Sequence, residues 1–287
     1  MIKFITTFAK TGYDVYGKYW IDSFITNTSS PDITAEIYVD FPLESPDARI
    51  KIVDYNSAIP EHAVWAKEFD AKSKHHHYGK LATLKFSYKS FVMAHVLTNT
   101  TAGYVIWLDG DAEIIADDFV NFPQMLLDSK FIAVQKEADG DTFHCESGVV
   151  IFDATHPAKD AFAAELLNQY LSIDNLDSMA RAFDGFIIWR SILANNIDCV
   201  DLNLGYGNPG IQSDPNCTFL NPELKKRFVH NIGPTGKRGY DNWDQYKDVD
   251  PFFNLVENFW RFIKPRTQDE IARVADKKSK LLNKKYS

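Results

Sequence analysis

Cysteine is scarce in this chain: Cys145, Cys199 and Cys217 are its three, and no two form a Cys-x-x-Cys pair. They are too few and too scattered for a disulfide framework, so a reducing, cytoplasmic setting is expected. The opening "MIKFITTFAKTG" turns polar after a short apolar run. That run is too short and wrongly flanked for a signal peptide or membrane anchor, and it reads instead as a first buried strand. Low-complexity tracts and repeats of 20–50 residues are also missing. Positive charge is in deficit: the net charge is −8, and residues 261–287 alone carry nine Lys/Arg against three Asp/Glu. The remainder is therefore −14, which argues against nucleic acid as a partner and requires local cations or a metal to meet any phosphate.

What is present is an ordinary globular composition, 45% hydrophobic and 24% charged over 287 residues. It is enough for one large α/β unit, expected over 1–260, followed by the basic piece 261–287. Strands are expected at Ile2–Phe8, Ile33–Asp40 and Arg49–Tyr55, with a helix over Tyr13–Thr26 between the first two. Leu81, Leu84, Tyr88, Phe91, Val92, His95 and Val96 recur at helical spacing, flanked by Lys85 and Lys89. Gly103–Leu108 is a continuous apolar strand of the kind found inside a sheet covered on both faces. Further helices are expected near Asp117–Leu127, Pro157–Leu171 and Phe183–Asn195, and strands near Phe131–Gln135 and Gly148–Phe152. This order predicts a mostly parallel, three-layer α/β domain, with its ligand at the carboxyl ends of the strands.

The strand "YVIWL" runs directly into Asp109-Gly110-Asp111. Alternation along an extended segment would put both carboxylates on one face, and two hard oxygen donors there suit Mg²⁺ or Mn²⁺. Gly110 would let a phosphate approach the backbone. A calcium loop of the EF-hand kind fails, because Ile114 and Val120 stand where glycine and glutamate are needed. Haloacid-dehalogenase phosphatases also use Asp-x-Asp after a strand, but Glu113 occupies the place of their Thr or Val.

With "VIWLDGD" and four further segments in order, the chain resembles the GT-A glycosyltransferases, and most of all family 8 and related viral and bacterial proteins. The resemblance implies a GT-A fold and transfer of a sugar from a UDP- or GDP-linked donor, held through Mn²⁺ or Mg²⁺, to a glycan, lipid or protein acceptor. In "FITTFAKTG" it places Thr6, Thr7 and Phe8 near the nucleotide, and in "LKFSYKSFVMA" it sends Lys85 or Lys89 to the diphosphate. "CESGVVIFDATHP" matches the strand beside the donor sugar, with Ser147 and Gly148 in the small-residue positions and Glu146 where the family has asparagine. In "FDGFIIW", Asp184 corresponds to the acid under the sugar ring; as a residue it also suits a helix N-cap. "VHNIGPTGKRG" resembles the His-x-x-Gly-x-x-Lys segment, through His230 as third metal ligand with Asp109 and Asp111, and Gly233 and Lys237 at the phosphate. Asp184 acts on the sugar carbon if the configuration is retained; Asp184 or Glu146 is the base if it is inverted. The competing readings are a silent nucleotide-sugar-binding scaffold of the same fold and an Asp-x-Asp phosphotransferase.

Other motifs carry less. "GYGNPG" has dinucleotide spacing, but Pro209 and "IQSDPN" do not open the helix that such a turn requires. His75, His76 and His77 are consecutive and lysine-flanked, which reads as a surface loop. The tail "TQDEIARVADKKSKLLNKK" has the pattern of a basic amphipathic helix, usually packed on the body and otherwise a peripheral contact for anionic lipid.

Overall fold

The computed structural model describes residues 1–75, 77–139, 142–179, 182–203, 219 and 221–230. The expected segment 261–287 lies outside them, as do the "GYGNPG" loop, Gly233 and Lys237. The chain begins with β1 (Ile2–Phe8), then α1 (Lys10–Gly12), a π turn (Tyr13–Gly17) and α2 (Lys18–Asn27) in one continuous helical run. β2 (Ile33–Val39) and β3 (Ile50–Asp54) follow, then α3 (Tyr55–Ala58), α4 (Pro60–Lys72) and α5 (His77–Asn99). Next come β4 (Tyr104–Leu108), β5 (Ala112–Ile114), α6 (Phe122–Leu127), β6 (Ile132–Asp139) and β7 (Thr142–Asp153). The described order closes with α7 (Lys159–Leu171), α8 (Ile173–Ser178), α9 (Asp184–Ala194), β8 (Cys199–Asp201), α10 (Pro222–Lys225) and β9 (Phe228–His230).

The main sheet has seven strands in the order β3-β2-β1-β4-β7-β6-β8. β1, β2, β3 and β4 are mutually parallel, β7 is antiparallel to both β4 and β6, and β8 is parallel to β6. Six strands therefore share one direction and β7 runs against them. The domain is the three-layer, mostly parallel α/β architecture that the alternation of elements predicts. β7 is longer than its apolar stretch indicates and reversed. An antiparallel neighbour of β6 needs only the tight connection available between Asp139 and Thr142.

Alternation along the strands feeds two cores. Phe4, Phe8, Ile37, Val39, Ile106 and Leu108 pack on one face with Trp20, Phe24, Phe119, Phe122 and Phe228. Ile5, Tyr38, Val105, Trp107, Val150 and Phe152 pack on the other with Trp65, Phe69, Phe91, Phe162, Tyr170 and Ile187. Burying Phe4, whose ring meets Phe24, Phe119 and Phe228 edge-on, stabilises the fold by about 3 kcal/mol. The helix expected at Asp117–Leu127 starts only at Phe122, with Pro123 in its first turn, where a missing N–H costs nothing.

α4 has no counterpart in the sequence-based expectations. It docks through His62, Trp65 and Phe69, spaced at three and four residues so that they share one face. The His62 ring sits 4.3 Å from Tyr88, 4.6 Å from Phe91, 5.4 Å from Tyr55 and 5.5 Å from Trp65. The Ser87 hydroxyl donates to the Leu84 carbonyl at 2.6 Å, so at 2.8 Å from His62 Nε2 it accepts the imidazole proton. Burial pushes His62 down from the ordinary 6.5 to about 4. The folded protein thus holds a neutral imidazole where the unfolded chain takes up a proton. Its stability contribution is complete above pH 6.5 and is lost as pH falls toward 4, about 3 kcal/mol in all. Urea unfolding of wild type and His62→Phe between pH 7 and pH 4 should show the variant losing less stability by about that amount; parallel curves would refute the assignment.

Candidate active site

At the end of β4 the alternation that sends Trp107 toward α5 carries Asp109 the same way. The chain then turns: the Ala112 amide donates to the Asp109 carbonyl at 2.9 Å, so Asp111 reaches Asp109 around a tight turn and not by strand alternation. β5 follows at once and pairs with β9, Ala112 opposite His230. The outcome is that single ligand atoms of Asp109, Asp111 and His230 lie within 4.8 Å of one another. His230 Nε2 is 3.1 Å from Asp111 Oδ1 and 3.9 Å from Asp109 Oδ2, while its Nδ1 is 3.9 Å from Glu146 Oε1. Burial lowers the His230 pKa, but the carboxylates of Asp111, then Glu146 and Asp109, outweigh it and hold the imidazole above its ordinary range.

Two glycines have steric reasons to be here. A Cβ on Gly148 would come within 2.7 Å of His230 Cε1 and of Glu146 Oε1, so the bare backbone of β7 is what admits the imidazole. A Cβ on Gly110 would meet the Phe8 ring at 2.7 Å. The space beside Gly110, expected to receive phosphate, is bounded by Phe8 and Tyr16.

Below the cluster lies a buried ion network. Lys89 Nζ is 2.6 Å from Asp109 Oδ1 and 2.6 Å from Asp184 Oδ2, and it also donates to the Ser147 hydroxyl at 3.0 Å and the Ser147 carbonyl at 3.2 Å. Trp107 Nε1 donates to the same Asp109 Oδ1 at 2.6 Å, and the Ser147 hydroxyl donates to Asp184 Oδ2 at 2.7 Å. Burial opposes the Lys89 charge, but Asp109 and Asp184 more than compensate and keep the ammonium charged well above the ordinary lysine range. Asp184 opens α9 yet is 4% exposed, and its carboxylate is turned to Lys89 and Ser147. Gly185 permits this depth, because any Cβ there would overlap the Cys145 carbonyl oxygen of β7.

The structure thus gathers Asp109, Asp111, His230, Glu146, Ser147, Gly148, Lys89 and Asp184 around one edge of the sheet. Lys85, one turn before Lys89, is exposed, its Nζ 5.7 Å from the Phe86 ring. Thr6 and Phe8 are core residues at 0% and 2% exposure, and Thr6 Oγ1 has no hydrogen-bond partner among the described residues; Thr7 donates to the Tyr38 carbonyl at 2.8 Å. Of the three consecutive histidines, His75 is tied to the Leu176 carbonyl at 3.0 Å. Sequence reasoning overlooked Trp107 as a donor to Asp109; its adjacency in "WLD" and the two-residue alternation were the available signal.

No known family profile and no curated protein sequence matches the chain. Among solved structures it is similar to mouse xyloside xylosyltransferase 1, at a TM-score of 0.46 and 9% identity over 70% of this chain and 85% of that one. It is also similar to the bifunctional glycosyltransferase WbbM, at 0.45 and 13% identity, and to the glycosyltransferase GlyE of Streptococcus pneumoniae, at 0.45 and 11%. Each of the latter two likenesses takes in 90% of this chain, which spans 51% of WbbM and 62% of GlyE. Among the described residues no helix is long and apolar enough to cross a membrane.

Removing the network's cation should be costly. Lys89→Met leaves Asp109 and Asp184 facing each other without compensation and should lower the unfolding free energy by about 3–5 kcal/mol. Lys89→Met with Asp184→Asn should recover part of that loss. Denaturant titration of the two variants decides, and equal destabilisation would show that the ion pairs are not coupled.

Proposed function

We propose that this protein is a metal-dependent glycosyltransferase that moves a sugar from a nucleoside diphosphate donor to a hydroxyl acceptor. The observation that carries the proposal is the convergence of Asp109, Asp111 and His230 at the carboxyl edge of the sheet. That edge is where open α/β sheets bind their ligands.

The donor set fits a small divalent cation: two carboxylates supply hard oxygens, and an imidazole favours Mn²⁺ over Mg²⁺. Asp109 Oδ1 is taken by Trp107 and Lys89, which leaves the Oδ2 side directed at His230. Such fixing of a ligand by its neighbours is what makes a metal site selective and firm. When bound, the ion would act as a Lewis acid on the leaving diphosphate.

The residues of the chain divide the remaining work. Lys89 spans Asp109 and Asp184, so the acid at the head of α9 is fixed relative to the metal ligands. Of the two acids proposed for catalysis, Glu146 has the more accessible side chain, 22% against 6% for Asp184. Its Oε1 accepts the Gly148 amide at 2.7 Å, which aims the carboxylate beside His230. We therefore assign acid–base contact with the reacting sugar or acceptor to Glu146, and to Asp184 the retention of Lys89 and Ser147. To Lys85, which is exposed where Lys89 is buried, we assign the contact with the diphosphate.

Thermal shift with UDP, GDP and their sugars, with and without Mn²⁺, tests the reading. A nucleotide at a hundredfold excess over its Kd should raise Tm by about 4–5 °C only when Mn²⁺ is present. Asp111→Asn should abolish the shift. Nucleotide binding indifferent to metal, or hydrolysis of a phosphomonoester with no release of nucleoside diphosphate, would overturn the proposal.

A further inference from the structure

His230 depends on an attachment that lies outside the cluster itself. β9 is three residues long and pairs only with β5 among the described residues, so backbone pairing alone holds it weakly. Arg227, next to β9, is 5% exposed and is bound on every side. Its guanidinium donates from Nε to the Asp118 carbonyl at 3.2 Å, from NH2 to the Asp118 carboxylate, and from NH1 to the Glu223 carbonyl at 3.1 Å and carboxylate at 2.8 Å. The same group lies 4.5 Å from the Phe122 ring, and the Arg227 carbonyl accepts the Ile115 amide at 2.8 Å. Asp118 and Phe122 belong to the segment that leaves β5, and Glu223 belongs to α10, which leads into β9. One planar cation thus joins the two pieces of chain that flank the β5–β9 pair, a task for which lysine lacks both the fork and the flat face.

We propose that Arg227 is a positioning residue for His230: it sets the register and depth of β9, and through them the placement of the imidazole beside Asp111. The proposal rests on the metal-site reading for its effect on binding, but it also has a consequence in metal-free protein. Removing the guanidinium leaves the carboxylates of Asp118 and Glu223 uncompensated, but their side chains are 64% and 31% exposed, so solvent screens that charge at the cluster and geometry carries most of the effect.

The test is a double-mutant cycle on the full chain with Mn²⁺ alone as the probe, read by titration calorimetry, together with the His230 ring resonances in long-range ¹H–¹⁵N spectra of the metal-free protein. Arg227→Met and His230→Ala should each weaken Mn²⁺ binding about tenfold or more. The double variant should bind no more weakly than His230→Ala, because Arg227 acts through that ring. In Arg227→Met without metal, the His230 resonances should shift or broaden while those of His62 stay in place. Asp118→Asn, which leaves the fold its arginine, should move the same resonances less, and it serves if Arg227→Met does not fold. If wild type binds no Mn²⁺, the metal reading fails and the resonances alone judge Arg227. Unmoved His230 resonances, or additive losses in the double variant, would overturn the proposal.

Discussion

The site is organised around one buried ammonium group held between two carboxylates. Lys89 arrives from α5, Asp109 from the end of β4 and Asp184 from the start of α9, so three elements distant in sequence are pinned at one point. A charge pair so deep is poor evidence of net stability, since its desolvation cost approaches its attraction. What it secures is arrangement. The carboxylate of Asp109 has one oxygen engaged below and the other presented above, and a helix that would otherwise slide on β7 is fixed by its first residue. The apolar cores on both sides of the sheet supply the stability that this arrangement consumes.

Much of the fold could be read in the sequence because its signals are local. β1 runs from Ile2 to Phe8 as expected, and the stripe through Leu84, Tyr88, Phe91 and Val92 is the buried face of α5. The reversed direction of β7 was not legible, because an apolar run looks the same in either orientation. α4 was missed for a different reason: its buried face is His62, Trp65 and Phe69, and a histidine there reads as polar until Ser87 and the surrounding rings are seen to accommodate it.

For the site, residue types were legible and their mutual geometry was not. The letters Asp109, Asp111 and His230 can be picked out, but that a turn, not a strand, joins the first two depends on the Asp109–Ala112 hydrogen bond. The two lysines at Lys85 and Lys89 are equivalent in a helical pattern, one turn apart on the same side. Only packing separates them, burying one beneath the sheet's edge and leaving the other at the surface. Gly148 likewise carries no mark in the sequence of the imidazole that needs its missing side chain. Arg227 would pass as one more surface charge in "ELKKRF".

The pairing of Ala112 with His230 has a consequence for how the protein is made. All seven strands of the main sheet, and both aspartates, have been synthesised once Asp201 is added. The histidine bonded to Asp111 comes 119 residues after its partner. A nascent chain therefore carries every strand of its principal sheet before it carries the imidazole, and Asp111 can meet His230 only after that sheet has been synthesised.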